Sequence, residues 1–221
     1  MARPSGRVVG LRQRFNSISH MAAGGVAIVV LPLLLVRADE PLALATVALY
    51  AFGLVALYTM SALYHAVPGA RAEHWLERLD HVAIYLLIAG TYSPVALLLV
   101  GGTLGWVLFA LAWGVAIVGL VLALTVPLGP KWVHILGYTA LGWCAVIAAP
   151  VLLARLDVGG MGWLIGGGLV YSGGAFLYVR DRPTLFTNLT GFRWMGDHEA
   201  WHLLVILGSA MHFWFLYAYV L

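Results

Sequence analysis

The sequence predicts an all-α membrane protein in which seven transmembrane helices form a single bundle. Hydrophobic residues make up 62% of the 221 residues and charged residues only 10%, whereas an average soluble domain has roughly 45–50% apolar and about 25% charged residues. Charge is absent from seven long stretches of the chain. Each stretch is close to the roughly 20 residues that a helix needs to cross a ~30 Å hydrocarbon core. Composition and segment length therefore both indicate a polytopic membrane protein.

The uncharged stretches give the expected helices in order. They are residues Met21–Val36, Leu42–Tyr64, Val82–Val100, Thr103–Pro130, Val133–Ala154, Val158–Val179 and Leu203–Leu221. Transmembrane β-strands would be about 9–11 residues long and would alternate between apolar and polar side chains, and these solid apolar runs show no such alternation. A basic start followed by an apolar run also resembles a secretory signal. Because six further spans follow, we interpret the first stretch as a retained helix.

Positive charges are distributed unevenly among the connections, and this predicts the orientation of the chain. With the N-terminus in the cytoplasm, the opposite side holds only Arg37 and Arg155. The cytoplasmic segments then hold Arg3, Arg7, Arg12, Arg14, Arg71, Arg78, Lys131, Arg180, Arg182 and Arg193. Since cytoplasmic loops carry the excess of Lys and Arg, we expect a multi-pass protein of the plasma membrane with N-in, C-out topology. The scattered arginines lack aromatic neighbours that would stack bases, so we expect no nucleic-acid partner.

The chain shows no linker and no second soluble domain. We therefore expect one seven-helix membrane domain over residues 1–221, with a basic cytoplasmic arm at residues 1–18 and the longest cytoplasmic loop at residues 181–197. Pro94 lies inside the third stretch and should bend it, because its ring removes one intrahelical hydrogen bond. Small residues in the sixth stretch predict close helix packing, although a wider cavity also fits them: Gly166, Gly167, Gly168, Gly173 and Gly174.

Histidine, aspartate and serine side chains lie at the ends of apolar stretches that share one side of the membrane. Ser61 and His65 are four residues apart at the end of the second stretch, and so lie on one helix face. His198 and His202 repeat this spacing at the start of the seventh stretch, and Asp80 precedes the third. Ionisable side chains are costly in lipid and mark functional sites there. Counting through the chain therefore predicts a polar site near the cytoplasmic face.

The histidines predict a zinc site. Two imidazoles at positions i and i+4 can bind one ion from a single helix, and His65 would add a third ligand from another helix. Three protein ligands and a water are the arrangement of catalytic zinc sites, in which the metal activates the water as a nucleophile. We expect Asp80 to orient this water or to act as general base, and Ser61 to hydrogen-bond a neighbouring group. Neither is expected to be a direct ligand.

A site without metal would use the same residues differently. A lone pair of histidines four residues apart is often interfacial, without any ion. Asp80 could pair with His81 or Arg78 at the membrane surface, and Ser61 could bond back to its own helix. The metal interpretation is favoured because all of these residues converge on one level of the membrane.

The remaining histidines are weaker candidates. His74 lies in a charged loop, where we expect it to be solvated, and His134 is expected to anchor the start of the fifth helix. His212 follows His202 by ten residues, about 15 Å along a helix, which is too far to share an ion, so we expect it to make a helix contact. His20 begins the first stretch on the same side. We expect it near the site but not as a ligand.

Together these motifs resemble the hemolysin III proteins of bacteria, which are grouped with the progestin and adipoQ receptors and, more distantly, with the alkaline ceramidases. The resemblance covers nearly the whole chain and rests on Asn16-Ser-Ile-Ser-His20, Ser61-Ala-Leu-Tyr-His65, Leu79-Asp80-His81, Ala89-Gly90-Thr91-Tyr92-Ser93-Pro94 and His198-Glu-Ala-Trp-His202.

The resemblance implies a seven-helix protein with N-in, C-out topology and a zinc ion near the cytoplasmic face. The implied ligands are His65, His198 and His202, with Asp80 bonded to the zinc-bound water. The family usually has an acidic residue shortly before the asparagine of its N-terminal element, where this chain has Arg12-Gln13-Arg14. That difference leaves the zinc ligands unchanged.

The leading functional hypothesis is a zinc-dependent hydrolase, similar to a ceramidase, that cleaves an amide or ester bond in a lipid whose chain enters between helices. The alternative is a receptor-like sensor or regulator of membrane state, in which structural zinc links the second and seventh helices. A proton- or ion-coupled transporter would need acidic residues in the middle of the spans. The uncharged stretches contain none, so this hypothesis is disfavoured. Haem would need axial ligands on opposite faces of the macrocycle, which two histidines of one helix cannot supply. Nothing in the sequence explains the cytolysis that the family name suggests.

Overall fold

The computed structural model of the chain describes residues 6–180, 188, 191 and 195–221, and this part of the chain is helical without any strand. Seven segments are long and apolar enough to cross a membrane. The predicted all-α, seven-span fold is therefore confirmed. The helices are α1 (Gly6–Arg37), α2 (Pro41–Ala66), α3 (Ala70–Pro94), α4 (Gly102–Thr125), α5 (Lys131–Trp143), α6 (Ala149–Arg155), α7 (Val158–Val179) and α8 (Asp197–Phe215).

Two of the spans combine more than one type of helix. A 3₁₀ turn, Cys144–Ala148, joins α5 to α6 in the fifth span. In the third span the α-helix ends at Pro94 and continues as a π-helical turn, Val95–Val100. Proline cannot donate the intrahelical hydrogen bond, and single π turns are a common adjustment inside α-helices. The chain then reverses into α4 at Gly101 and Gly102, which have φ angles of 66° and 57°.

The helices extend beyond the uncharged stretches because charged turns can continue a helix outside the hydrocarbon. α3 begins at Ala70, and its first turns carry exposed charged residues such as Arg71 and Glu73. Asp80 therefore lies well inside α3 and not at its start. α1 begins at Gly6, so most of the arm predicted at residues 1–18 is helical. The loop predicted at residues 181–197 lies mostly outside the described residues.

Two glycines allow the backbones of α2 and α3 to pack tightly side by side. A Cβ atom on Gly90 would lie 2.8 Å from the carbonyl oxygen of Leu49, and Gly53 faces the backbone of α3 in the same way. Small residues of this kind let membrane helices approach closely. The tight pairing brings the end of α2 that carries Ser61 alongside the part of α3 that carries Asp80.

The glycines of α7 accommodate bulky side chains of α8. Gly167 faces the imidazole of His212, and Gly174 faces the indole of Trp201. Close packing is thus confirmed at these positions, although the partners are side chains and not a second backbone. At Gly173, by contrast, an added Cβ atom would meet none of the described neighbouring residues within 4 Å.

Candidate metal centre

The three histidines predicted to bind metal meet at one end of the bundle. His65 lies in the last turn of α2, and His198 and His202 lie in the first two turns of α8. The Nε2 atom of His198 is 3.4 Å from that of His65 and 3.3 Å from that of His202. One ligand nitrogen of each ring lies within 4.8 Å of the other two. The fold therefore assembles three imidazoles from helices that are far apart in the sequence.

Two of the three distances between these nitrogens match those around a tetrahedral metal ion. Zinc–nitrogen bonds are about 2.0–2.1 Å long, so two ligands at the corners of a tetrahedron are about 3.3–3.4 Å apart. A proton on the Nε2 atom of His198 could bridge only one of its two short contacts, because an N–H group donates in one direction. A cation between the three rings satisfies both contacts. The cluster could therefore hold a metal ion, and its nitrogen donors suit zinc, copper, iron or nickel.

Buried polar contacts fix the start of α8. The carboxylate of Glu199 accepts a hydrogen bond from the backbone N–H of Gly196 at 2.7 Å, and the side-chain amide of Asn16 donates to its other oxygen at 3.4 Å. Asn16 is 1% exposed and Glu199 is 2% exposed. Because buried polar groups are costly when unpaired, these contacts favour one position of α8 against α1. That position orients His198 and His202.

A polar face of α1 completes the surroundings of the cluster, and its Gln13, Asn16 and Ser17 were not among the predicted site residues. Gln13, Asn16, Ser17 and His20 follow the spacing i, i+3, i+4, i+7, which places them on one side of the helix. The amide oxygen of Gln13 lies 2.5 Å from Nδ1 of His65. The Ser17 hydroxyl donates to a backbone carbonyl of α2 at 3.1 Å. The periodic polar residues in an apolar helix were the signal that could have identified this face.

His20 packs directly against the cluster. Its ring centroid is 4.0 Å from that of His202 and 5.3 Å from that of Tyr58, and the side chain is buried. The set of converging ligand nitrogens contains His65, His198 and His202 but not His20. This agrees with the prediction that His20 lies near the site.

Asp80 and Ser61 lie together. The carboxyl group of Asp80 interacts with the Ser61 side chain, and both residues line the same cavity as His198 and His202. Neither belongs to the group of converging ligand nitrogens. The structure thus brings the predicted carboxylate and hydroxyl into one cavity with two of the three histidines.

The two alternative partners of Asp80 are engaged elsewhere. The buried guanidinium of Arg78 donates to the carbonyls of Ala123 and Val126, the latter at 2.8 Å, and so caps the end of α4. Nδ1 of His81 lies 2.9 Å from the hydroxyl of Tyr138. These contacts disfavour the interpretation in which Asp80 is only a surface partner of Arg78 or His81.

The remaining histidines lie away from the cluster. His74 is exposed near the start of α3. His134, close to the start of α5, packs against His81 with ring centroids 4.9 Å apart. Nε2 of His212 lies 3.2 Å from the carbonyl oxygen of Leu164 in α7, which confirms the predicted helix contact.

An apolar cavity of about 280 Å³ extends from the histidine cluster into the bundle. His20, Ser61, Asp80, His198 and His202 line its polar end. Aliphatic side chains from six helices dominate the rest of the wall, among them Leu57, Ile84, Ile135, Leu152, Leu164 and Val205. Ligand sites are commonly apolar cavities with a few convergent polar groups, and this cavity has that character.

The fold and the cluster define a seven-helix integral membrane protein with three histidines that could hold a metal ion. Comparison with protein families agrees: the chain belongs to the family described as Haemolysin-III related, whose model matches residues 11–213. The fold class and the family predicted from the sequence are both confirmed.

Relatives of the chain include bacterial and mammalian proteins. Hemolysin-3 of Bacillus cereus is 32% identical over 209 residues, which cover 93% of this chain and 90% of that protein. A Hemolysin-3 homolog of Bacillus subtilis (strain 168) is 32% identical over 165 residues, covering 75% of this chain and 72% of the relative. The human Monocyte to macrophage differentiation factor is 26% identical over 177 residues, or 78% of this chain and 69% of that protein.

Proposed function

We propose that the protein binds a zinc ion through His65, His198 and His202 and hydrolyses an amide or ester bond in a membrane lipid. The observation that carries this proposal is the position of the cluster: imidazole nitrogens at a zinc-like spacing lie at the polar end of an apolar cavity. Structural zinc sites are usually closed by four protein ligands, whereas catalytic sites keep one position open. The described residues supply three converging ligands.

The histidines would hold the ion through their unprotonated Nε2 atoms. When bound, zinc polarises a substrate carbonyl and makes water a nucleophile near neutral pH. Gln13 accepts a hydrogen bond from Nδ1 of His65, which keeps the Nε2 lone pair of that ring directed at the ion. Such outer partners of ligand histidines fix ring orientation and increase metal affinity.

Asp80 would act as the general base. Its carboxylate lines the cavity with His198 and His202, so a carboxylate oxygen can take the proton that the attacking water loses. The same oxygen can then return this proton to the departing amine or alcohol. Ser61, which interacts with the carboxyl group, would hold it in the orientation for both transfers.

The substrate class follows from the lining of the cavity. Aliphatic walls accept a hydrocarbon chain, and polar groups at one end accept the bond to be cleaved. From the distribution of arginines we further propose that this end faces the cytoplasm and that the protein lies in the plasma membrane with N-in, C-out topology. We propose no nucleic-acid partner.

Replacement of Asp80 by Asn tests the catalytic role. Zinc-loaded wild-type protein and Asp80→Asn would be compared for release of fatty acid from a panel of ceramides, phospholipids and acyl esters. Asp39→Asn, an exposed change in the connection between α1 and α2, is the matched control. We expect turnover in the wild type and the control and a loss of at least 100-fold in Asp80→Asn. Absence of any difference between wild type and Asp80→Asn would refute the role of Asp80.

A non-catalytic function is the second candidate, and one observation favours it. α2 packs mainly against α1 and α3, whereas α8 packs mainly against α7, so zinc shared by His65 and His198 would strengthen the link between α2 and α8. The protein would then be a sensor or regulator of membrane state with structural zinc. His198→Ala should strongly lower the thermal stability, and no lipid in the panel should be cleaved even by the fully zinc-loaded wild type.

A further inference from the structure

His212 lines the cavity deep inside the bundle, away from the metal centre. It follows His202 by ten residues on α8, about 15 Å along the helix axis and about half of the ~30 Å hydrocarbon core. An ionisable side chain at this depth is costly, and by default it indicates a functional position. The proposed hydrolysis makes no use of His212.

The contact between His212 and α7 defines which ring nitrogen carries the hydrogen. Nε2 lies 3.2 Å from the carbonyl oxygen of Leu164, and because a carbonyl only accepts, Nε2 is the donor. Nδ1 of the neutral ring is then an acceptor. Among the residues that the structure describes, the contact between Nε2 and the Leu164 carbonyl is the one hydrogen bond of the His212 ring. The nearby hydroxyl of Tyr171 is paired with Ser209 at 2.8 Å.

Three other hydroxyl groups that line the cavity have already donated their hydrogens. Thr91 and Ser172 donate to backbone carbonyls of their own helices at 2.9 Å and 2.8 Å. Tyr92 donates to a backbone carbonyl of α5 at 2.9 Å. Each of these oxygens keeps a lone pair that can accept. Like Nδ1 of His212, these oxygens can therefore accept a hydrogen bond in the cavity, although Ser172 already accepts one from the indole of Trp143, while their own hydrogens are used within the protein.

We propose that His212 forms a polar subsite that binds a hydroxyl group on the chain of the lipid. The inference rests on the proposed function in one respect, namely that a lipid chain fills the cavity with its head at the histidine cluster. An extended carbon chain advances about 1.2 Å per bond, as an extended peptide backbone does, so 15 Å corresponds to about 12 carbons. A hydroxyl near that position donates to Nδ1 of His212, whereas a keto group has no hydrogen to donate.

A competition experiment with matched fatty acids tests the subsite. Purified full-length protein loaded with zinc would bind a fluorescent fatty acid, which is displaced by stearic, 12-hydroxystearic or 12-oxostearic acid. We expect the hydroxy acid to bind about tenfold more tightly than the keto acid, because the keto oxygen would face unpaired acceptors. In His212→Phe, which keeps an aromatic ring, the affinity for the hydroxy acid should fall about tenfold. The affinity for stearic acid should change less than threefold.

A second variant separates the subsite from a purely structural role of His212. In His212→Gln, the side-chain amide can donate to the Leu164 carbonyl and still offer an oxygen to the ligand, so the preference for the hydroxy acid should be retained. Zinc content and thermal stability establish whether each variant is folded. If His212→Phe does not fold, the subsite is tested by comparing the affinities for the hydroxy and keto acids in the wild type and in His212→Gln.

The results distinguish this inference from the proposed hydrolysis. The subsite would be overturned if the wild type bound the hydroxy and keto acids with equal affinity, or if His212→Phe lost the same affinity for all three acids. Failure of every acid to displace the probe would also overturn it. A preserved hydroxyl preference without lipid cleavage supports the subsite and removes the enzymatic function. Lipid cleavage without any preference for the hydroxy acid supports the enzymatic function and refutes the subsite.

Discussion

The amide oxygen of Gln13 lies 2.5 Å from Nδ1 of His65. Because an amide oxygen only accepts, Nδ1 must carry the hydrogen, and Nε2 of the neutral ring keeps its lone pair. Nε2 is also the atom that faces His198 at 3.4 Å. Although α1 contributes none of the three converging ligands, it therefore determines which nitrogen of His65 is available to a metal ion.

Removing the Gln13 amide should weaken metal binding. Gln13→Leu has a similar size but no acceptor for Nδ1 of His65, and loss of such an outer partner typically reduces metal affinity 10- to 100-fold. Gln13→Glu keeps an acceptor and should bind zinc at least as tightly as the wild type. Titration of the purified variants against a chelator of known zinc affinity measures the effect. Identical affinities for Gln13→Leu and the wild type would show that this contact does not act on the ion.

Gly90 should be essential to the pairing of α2 and α3. A Cβ atom there would lie 2.8 Å from the Leu49 carbonyl oxygen, so Gly90→Ala must push the helices apart. Overpacking of this kind typically costs about 1–3 kcal/mol of unfolding free energy. Gly114→Ala in α4 is the control, since a Cβ atom there has no neighbour within 4 Å. In detergent, the thermal unfolding temperature of Gly90→Ala should be well below those of the wild type and the control. Equal unfolding temperatures of the two variants would contradict this packing of α2 against α3.

The buried guanidinium of Arg78 should stabilise the end of α4. It donates to the carbonyls of Ala123 and Val126, which otherwise lack helical partners. Arg78→Met keeps much of the apolar stem and removes the donors, and we expect a loss of about 1.5–3 kcal/mol. Arg71→Met, at an exposed position of the same helix, should change the unfolding free energy by less than ~0.5 kcal/mol. Unfolding free energies that fall by the same small amount in Arg78→Met and Arg71→Met would refute the prediction.

The orientation of the chain can be tested by labelling introduced cysteines. In a Cys144→Ala background, His74→Cys and Asp39→Cys place single thiols at exposed positions on opposite ends of the bundle. N-in, C-out topology predicts that a membrane-impermeant maleimide added to intact cells labels the cysteine at position 39. The cysteine at position 74 should react only after the membrane is permeabilised. The reverse pattern would invert the proposed topology.

The seven spans and the pair His198 and His202 were predictable because each is specified by a pattern within a short stretch of sequence. Uncharged runs of membrane-spanning length specify the helices, and the i, i+4 spacing places His198 and His202 on one face of α8. The shared level of His65 and His198 also followed from counting spans. In contrast, the start of α3 was misplaced, because the charged residues around Arg71 continue the helix beyond the apolar stretch.

The contacts made by α1 were not predicted because they depend on packing between distant segments. Asn16 and Glu199 are separated by 183 residues, and no local pattern specifies that their side chains meet. The i, i+3, i+4, i+7 spacing of the polar residues shows that α1 has a buried polar face, but not which helix it faces. The cavity likewise arises from the packing of several helices, so its lining could not be inferred from any one of them.

Metal analysis of the purified protein would decide whether His65, His198 and His202 bind a zinc ion. The proposed site predicts about one zinc ion per chain in the wild type, the same content in Asp80→Asn, and loss of the ion in His202→Ala. Asp80→Asn retains the ion because Asp80 lies outside the converging nitrogens. A wild-type protein that takes up no stoichiometric metal, or a His202→Ala variant that keeps its full content, would contradict the account.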